Sequence, residues 1–268
     1  MPTSPDTRAS SPLADRLRQR QPLVGLILKM TNPAGVELAG HLGFDLVLID
    51  TEHGLNGGAE LDHHLRAAEA ARIPALVRMG TGGRAEIQRA LDGGAAGIII
   101  PQVDSAAAAR EAVSLAHYPP FGGRGLATST RAGRQGTVDT PAYLTDARKN
   151  TVVIAQIESR AGVANAAEIL AVEGISAVWI GLSDLSLDLG HFGQPDHPFV
   201  AAAVDAIIQA AQDANMPLMV IADTAEDGEK WIDRGAQVLL VNLLSILARG
   251  LRTLKDAHHT ARIERITP

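Results

Sequence analysis

The feature that most constrains the fold is a series of eight short apolar runs separated by segments of helical composition. Each run is rich in aliphatic residues and carries almost no alternation of polar and apolar positions, as is typical of strands buried on both faces. The runs cover residues 23–28, 46–50, 75–78, 97–101, 152–158, 177–180, 218–221 and 238–241. Eight strands that alternate with helical segments predict an α/β fold in which a parallel sheet closes into a (β/α)₈ TIM barrel.

An open, doubly wound sheet is the alternative fold. It is disfavoured because the first run leads into Leu28-Lys29-Met30-Thr31-Asn32 and not into a glycine-rich turn. Helices are predicted between the strands over 32–38, 57–71, 84–91, 105–116, 161–172, 225–234 and 243–255. The segment 118–150 is rich in proline and glycine, and we expect a long loop that is either functional or disordered.

The composition is that of an ordinary globular protein, with 46% apolar and 20% charged residues. We expect a disordered tail over residues 1–12 and a single domain over 13–268. The formal net charge of -6 and the scattered basic residues argue against a nucleic-acid partner. No apolar run reaches the length of a membrane span or of a signal peptide, so no membrane partner is expected. The lack of cysteine fits a cytoplasmic location.

Polar side chains follow several of the predicted strands at their carboxyl ends, which form the mouth of a (β/α)₈ barrel. They are Asp50, Glu52, His53, Arg78, Gln156, Glu158, Ser183 and Asp184. Glu158 and Asp184 end consecutive strands, so we expect their carboxylates to lie close together. Two carboxylates leave most of an octahedral shell to water and substrate, which suits Mg²⁺ or Mn²⁺ chelating a 2-oxo acid. The alternatives are an ion pair of Glu158 with Arg160 and a helix-capping role for Asp184.

The other polar residues of the predicted mouth supply a base and a cation. Asp50 precedes His53 by three residues, in a turn where the carboxylate orients the imidazole, although a solvated loop histidine is the alternative. Arg78 ends a buried run, so its guanidinium is expected to face the mouth and bind a carboxylate or enolate; a surface ion pair is the alternative. Lys29 is a weak candidate for a Schiff base. Because neither of the last two strands leads into a glycine-rich turn, a phosphorylated substrate is disfavoured.

These residues lie in several ordered motifs. The motifs are the run from Phe44 to His53, the strand-end Arg78, Leu91-Asp92-Gly93-Gly94-Ala95, Tyr118-Pro119-Pro120 with Gly123-Arg124-Gly125, Gln156-Ile157-Glu158, and Gly181-Leu182-Ser183-Asp184-Leu185-Ser186. Together they resemble the HpcH/HpaI family of metal-dependent pyruvate aldolases, which includes 4-hydroxy-2-oxoheptanedioate aldolases and 2-keto-3-deoxy sugar acid aldolases. The resemblance extends in register from about residue 13 to about residue 254.

The resemblance implies a homohexameric (β/α)₈ aldolase that uses Mg²⁺, Mn²⁺ or Co²⁺ to cleave a 4-hydroxy-2-oxo acid reversibly into pyruvate and an aldehyde. Matched position by position, Glu158 and Asp184 are the metal ligands, and Gln156 and Ser183 hold the pyruvate moiety. His53 matches the base, Arg78 the stabiliser of the enolate, and Asp92 a residue that raises the basicity of the histidine. Asp92 falls at the end of the third predicted helix, away from the predicted mouth.

Two positions depart from the pattern of the family. Lys29 stands where relatives often have a small residue, and Gln135 where an aromatic residue is common. Both departures bear on the choice of aldehyde. Two other functions remain open from the sequence. One is a related lyase or condensing enzyme that uses the same metal enolate, for instance on acyl-CoA esters. The other is a catalytically silent barrel that binds keto acids.

Overall fold

The structure is a computed structural model that describes residues 11–80 and 83–266, without the side chains of 260–266. Most of the predicted tail over 1–12 therefore lies outside the described residues. Among the described helices none is long and apolar enough to cross a membrane.

Eight parallel strands form a closed barrel in which each strand pairs with its neighbours in the chain and β8 pairs with β1. The prediction of a (β/α)₈ barrel is thus confirmed. The strands are β1 Leu23–Leu28, β2 Leu46–Asp50, β3 Ala75–Arg78, β4 Gly97–Ile100, β5 Val152–Ile157, β6 Ala177–Ile180, β7 Leu218–Ile221 and β8 Val238–Asn242. Each predicted run coincides with a strand to within one residue at either end.

The helices surround the sheet. They are α1 Leu13–Arg18, α2 Pro33–His41, α3 Gly58–Ala70, α4 Arg84–Asp92, α5 Ala106–Ala116, α6 Thr140–Asn150, α7 Arg160–Ala164, α8 Ala166–Leu170, α9 Leu182–Asp188, α10 Pro198–Asp213, α11 Ala225–Asp233 and α12 Leu243–Ile266. Asn32 caps α2 by accepting a hydrogen bond from the backbone N–H of Gly35 at 3.0 Å. Ser105 caps α5 in the same way through Ala108, at 3.2 Å.

Two predicted segments differ from the structure. The expected loop over 118–150 contains α6, whose first turn is capped by Asp139 accepting from the backbone N–H of Ala142 at 3.1 Å. The predicted helix over 161–172 is divided into α7 and α8 at Asn165, which has a φ of -104° and a ψ of 9° and whose side chain donates to the carbonyl of Asp104 at 2.7 Å. The longer helix α10 was not predicted from the sequence.

The core has two layers, as the alternation of side chains along each strand requires. Leu46 and Leu48 face the inside of the barrel, whereas Val47 and Ile49 pack outward against the helices. The inner cluster includes Leu13 and Leu17 of α1. Helix α1 therefore closes the end of the barrel where the strands begin, and the carboxyl ends of the strands are left to form a site.

One side of the barrel is incompletely covered. Val24 on β1 and Ile221 on β7 are each 41% exposed although they lie in strands. A groove of about 780 Å³ runs along this side, which we call the β8–β1 groove, and its lining includes Val24, Ile232, Leu239, Val241 and Ile246. The 24-residue helix α12 leaves the barrel beside the groove with several leucine side chains exposed. The chain alone thus keeps both an apolar groove and an apolar helix in contact with water.

A buried histidine lies near the closed end of the barrel. His117 ends α5, and neither of its ring nitrogens has a hydrogen-bond partner among the described residues. Burial, aided by the positive charges of Arg124 and Arg148, lowers the pKa of His117 to about 4. The imidazole is therefore neutral at physiological pH.

Candidate active site

The centre of the mouth is an ion pair between two adjacent strands. The register of the sheet places Asp50 opposite Arg78, each as the last residue of its strand. Arg78 donates from Nε to Oδ1 of Asp50 at 3.0 Å and from Nη2 to Oδ2 at 2.5 Å, and both side chains are buried. Burial by itself raises the pKa of Asp50, but the hydrogen bonds and charge of Arg78 outweigh it and lower that pKa. The guanidinium is also 5.0 Å from the ring centre of Trp179, so its position is fixed on two sides.

The turn after β2 brings Glu52 and His53 beside this ion pair. The backbone N–H groups of Glu52 and His53 donate to Oδ1 of Asp50 at 3.1 and 3.2 Å. Oε2 of Glu52 lies 3.1 Å from Nη1 of Arg78 and 3.6 Å from Nε2 of His53. The structure therefore differs from the prediction that Asp50 orients the imidazole. Asp50 holds Arg78 and the backbone of the turn, and the ring of His53 faces Glu52.

Glu158 lies directly after β5 and is almost completely buried. Its Oε1 accepts from the backbone N–H of Gln102 at 2.9 Å, and its Oε2 accepts from Nε2 of Gln156. Burial raises the pKa of Glu158 to about 7. The negative charges of Asp184 and Glu52 add to that rise, and the hydrogen bond from Gln102 opposes it. The alternative of an ion pair with Arg160 is wrong, because Arg160 instead lies 3.8 Å from the carboxylate of Asp188.

Asp184 and Ser183 occupy the first turn of α9, and both are exposed at the mouth. Asp184 makes no capping hydrogen bond there, because α9 begins after Gly181 without a side-chain cap. The alternative of a capping role is therefore not supported. The Asp184 carboxylate acts on the pKa of Glu158 through its charge, as expected from two acids at neighbouring strand ends.

The residues around Glu158 fit a divalent cation. Oε1 of Gln156 is buried and lacks a hydrogen-bond partner among the described residues, and it lies at the same strand end as the buried carboxylate of Glu158. A Cβ atom on Gly181 would come within 2.6 Å of Cβ of Glu158 and 2.9 Å of Nε2 of Gln156, so only glycine leaves this space open. The described residues contain no cluster of three or more His, Cys, Asp or Glu side chains that would hold a metal. A cation here would thus have two carboxylate ligands, which suits Mg²⁺ or Mn²⁺ better than structural zinc.

Asp92 lies away from these residues. It is the last residue of α4, and its carboxylate accepts a hydrogen bond from Nη2 of Arg124 at 2.6 Å. Because a helix of this fold runs back from the mouth, its last residue lies near the start of the strands. Within one chain the structure does not bring Asp92 to His53.

Three further residues shape the site, of which Asn56 and Gln102 were not candidates from the sequence and Lys29 was only a weak one. Asn56 is buried and donates to the carbonyl oxygens of Leu28 and Asp50, each at 3.1 Å, which ties the ends of β1 and β2 together. Gln102 has a φ of 52° and presents its backbone N–H to Glu158. Lys29, after β1, acts on the pKa of Asp50 through its charge. The only sequence signal for Asn56 and Gln102 is their position in turns after strands.

Comparisons with known proteins agree with this architecture. The model of the HpcH/HpaI aldolase/citrate lyase family matches residues 23–242. A 5-keto-4-deoxy-D-glucarate aldolase of Klebsiella pneumoniae is 34% identical over 242 residues, which cover 90% of this chain and 94% of the relative. A 4-hydroxy-2-oxo-heptane-1,7-dioate aldolase of Salmonella arizonae is 36% identical over 243 residues, which cover 90% and 91%. The crystal structure of an HpcH/HpaI aldolase/citrate lyase family protein from Burkholderia cenocepacia superimposes with a TM-score of 0.87 at 31% identity, covering 92% of this chain and 98% of that one. The chain therefore belongs to the HpcH/HpaI aldolase/citrate lyase family.

Proposed function

We propose that this carbon–carbon lyase cleaves a 4-hydroxy-2-oxo acid reversibly into pyruvate and an aldehyde, with Mg²⁺, Mn²⁺ or Co²⁺ as cofactor. The observation that carries the proposal is the buried carboxylate of Glu158 beside the amide oxygen of Gln156, which is unpartnered within the described chain, in the space that Gly181 leaves open, at a mouth that also holds Asp184 and the fixed guanidinium of Arg78. The relatives named as aldolases support it, since they match nine-tenths of the chain.

Cleavage breaks the bond between C3 and C4 of the substrate. The 4-hydroxyl loses its proton, C4 becomes the aldehyde carbon, and the bonding electrons move to the 2-oxo group as the enolate of pyruvate. Protonation at C3 then completes pyruvate. Glu158 and Asp184 would hold the divalent cation, which when bound supplies positive charge to the carboxylate and 2-oxo oxygens of the substrate.

Other side chains of the mouth would bind the substrate, stabilise the enolate and accept the proton. Gln156 and Ser183 would hold the pyruvate moiety by donating hydrogen bonds from the amide N–H and the hydroxyl group to its oxygen atoms. Arg78 would stabilise the enolate charge, and its rigid attachment to Asp50 means that little reorganisation is needed as the charge develops. His53 is exposed at the mouth and would accept the proton of the 4-hydroxyl group.

The test is pyruvate release from 4-hydroxy-2-oxo acids before and after treatment with EDTA. We expect EDTA to abolish the activity and Mg²⁺, Mn²⁺ or Co²⁺ to restore it, with a screen of aldehydes in the reverse direction identifying the acceptor. In Asp184→Asn, adding metal after EDTA treatment should not restore pyruvate release. Asp188→Asn, on the same helix but paired with Arg160, is the matched control. Full activity in EDTA would overturn the proposal.

We also propose that the protein self-associates as a homohexamer. The β8–β1 groove and the exposed leucines of α12, among them Leu251 at 66% and Leu254 at 59%, support association because two copies can bury both surfaces at once. Leu251→Asp should lower the mass measured by light scattering. Thr253→Asp, about 200° away around the helix, is the control. An unchanged hexamer in Leu251→Asp, or a monomeric wild type, would contradict the proposal.

The remaining expectations stand as proposals of the same kind. We propose a single domain over 13–268, which is supported by the pairing of β8 with β1 and by the span of the family match. A cytoplasmic location is supported by the absence of cysteine from the sequence. The net charge of -6 argues against a nucleic-acid partner, and no described helix suits a membrane partner.

A further inference from the structure

We infer that Lys29 is a specificity-determining residue, which binds a terminal carboxylate on the aldehyde half of the substrate, across the mouth from Glu158. The inference rests on the proposed function of this site and names the class of aldehyde, one that carries a carboxylate of its own. Relatives often have a small residue at this position, so the contact is a property of this chain and not of the site that the family shares.

The side chain of Lys29 faces the inside of the barrel mouth. Ile27, two residues earlier, belongs to the inner cluster, whereas Leu28 packs outward against the helices. Because side chains alternate along a strand, Lys29 is directed inward again. Strands β1 and β2 pair with Leu28 opposite Ile49, which places Lys29 beside Asp50 at the same level of the mouth. The charge of Lys29 acts on the pKa of Asp50, in agreement with this placement.

The ammonium group of Lys29 is free to bind an anion. Within the part of the chain that the structure describes, it forms no ion pair and no hydrogen bond. The carboxylate of Asp50, on the adjacent strand, accepts hydrogen bonds from Arg78 with both of its oxygens. Lys29 is half-buried, so an ammonium with three unused donors is held at the rim of the mouth.

Arg78 is a second cation of the mouth, and its guanidinium is already bound. It donates to both carboxylate oxygens of Asp50, and its Nη1 lies 3.1 Å from Oε2 of Glu52. The ring of Trp179 fixes it from another side. Arg78 therefore cannot turn toward a group on the far side of the mouth, and an anionic aldehyde half is left to Lys29.

Lys29 and the proposed metal ligand Glu158 lie on opposite sides of the mouth. The barrel closes in the order β1 to β8, so β1, which leads into Lys29, is four strands away from β5, which leads into Glu158. Eight strands about 4.8 Å apart and tilted by about 36° enclose a barrel roughly 15 Å across, which the two side chains and a short substrate fill between them. An extended 4-hydroxy-2-oxo acid with its 2-oxo end at Glu158 thus reaches toward Lys29 with its aldehyde half.

A carboxylate is the anion that suits this position. A lysine ammonium is a compact charge with three donors, and it binds one carboxylate without help from neighbouring groups. A phosphate group at a barrel mouth is usually held by turns after the last two strands. Here β7 and β8 lead directly into Ala222 and Leu243, without a glycine-rich turn.

The experiment compares Lys29→Met, which removes the charge and keeps the length of the side chain, with Lys29→Arg, which keeps the charge. The control Lys230→Met removes a charge from the exposed surface of α11. The probes are two pairs of 2-oxo acids. In each pair a terminal carboxylate, in 2-oxoglutarate or 2-oxoadipate, is replaced by a methyl group, in 2-oxopentanoate or 2-oxohexanoate. Dissociation constants are measured by calorimetry with Mg²⁺ present, and melting temperatures check that each variant is folded.

We expect the wild type to bind the diacid of one pair about tenfold or more tightly than its methyl counterpart. The preference should be smaller in the other pair, because a direct contact requires that the carboxylate reach the ammonium. In Lys29→Met the preference should be lost while the affinity for the methyl acids changes little. Lys29→Arg should recover part of it, and Lys230→Met should match the wild type. Equal weakening of both diacids would indicate a charge that acts only at long range and would overturn the contact.

Turnover gives a second readout. Condensation of pyruvate with glyoxylate, which carries a carboxylate, is compared with condensation with glycolaldehyde, which has a hydroxymethyl group in its place. In Lys29→Met we expect the KM for glyoxylate to rise about tenfold with kcat nearly unchanged, and the KM for glycolaldehyde to stay near that of the wild type. Sodium borohydride with pyruvate should leave the mass of the protein unchanged. A covalent adduct on Lys29 would assign it to a Schiff base and overturn the inference.

The outcomes separate this inference from the proposed function. If the wild type binds a diacid through Lys29 but forms no product with any aldehyde, the proposed function fails and the contact stands. If the wild type is an aldolase and its preference for diacids is absent, or is the same in Lys29→Met, the role of Lys29 is wrong and the aldolase proposal stands. Binding of none of the four acids would contradict both.

Discussion

Replacing Gly181 by alanine tests whether the space beside Glu158 is required for metal binding. The added Cβ would lie 2.6 Å from Cβ of Glu158 and 2.9 Å from Nε2 of Gln156, and closer still to Oε2 of Glu158. Ordinary contact needs at least 3.4 Å, so Glu158 must retreat by about 0.8 Å. Gly181 has a φ of -82°, so alanine causes no backbone strain and the effect is confined to this contact.

The displacement is large compared with what a metal site tolerates. Ligand distances in metal sites vary by about 0.2 Å, so a shift of about 0.8 Å removes Glu158 from a productive position. We expect the Mg²⁺ concentration for half-maximal pyruvate release to rise at least about tenfold, which corresponds to about 1.4 kcal/mol. Saturating metal should restore part of kcat.

The assay is a titration of pyruvate release with Mg²⁺ in the wild type, Gly181→Ala and the control Gly250→Ala. Gly250 lies in α12 with nothing within 4 Å of an added Cβ, so this control should leave the titration unchanged. A wild-type Mg²⁺ dependence in Gly181→Ala would refute the reasoning that Glu158 must remain in place to bind the metal.

Three further predictions concern single ionisable groups. Arg78→Lys replaces the guanidinium, which binds both carboxylate oxygens of Asp50, by a single ammonium group. We expect the steady-state kcat to fall by about 10²-fold or more, while the Mg²⁺ dependence of the activity stays near that of the wild type. The raised pKa of Glu158, about 7, means that its contribution to stability is present below pH 4.5 and is lost as pH rises through 7. Urea unfolding in EDTA should thus show that the free energy of unfolding falls by about 3 kcal/mol between pH 4.5 and 8. This fall should be absent in Glu158→Gln, and added Mg²⁺ should offset it in the wild type. The lowered pKa of His117 has the opposite sign, so its contribution is present above pH 6.5 and lost as pH falls toward 4. When the pH falls from 7 to 5, the free energy of unfolding of His117→Phe should decrease by about 2 kcal/mol less than that of the wild type. Equal decreases in both proteins would contradict the burial of a neutral imidazole.

The strands could be predicted from the sequence because burial on both faces leaves an unbroken apolar run, and the ends of those runs are the ends of the strands. Helix α10 also has a sequence signal, since its buried Val200, Val204, Ile207 and Ile208 recur at helical spacing. It was missed because these residues stand in an alanine-rich stretch, where the contrast between apolar and polar positions is weak. Within 118–150, Asp139 followed by Thr140-Pro141 is a helix start whose signal was masked by the many glycines before it.

The sequence could predict which residues form the candidate site, but it could not predict most of the contacts between them. The rule that strand ends form the mouth identified Asp50, Arg78, Glu158 and Asp184. It could not show that Asp50 pairs with Arg78 and leaves His53 to Glu52, because that choice depends on the register between β2 and β3. Register arises from the packing of the whole barrel and has no local sequence signal here.

The unequal charge at the mouth has a kinetic consequence. The carboxylates of Asp50, Glu52, Glu158 and Asp184 face the guanidinium of Arg78 and the more weakly coupled Lys29, which leaves an excess of negative charge. This charge would repel an anionic keto acid in the absence of the proposed divalent ion. We therefore expect ordered addition with the ion entering first, and pyruvate alone should have little affinity for the protein in the presence of a chelator.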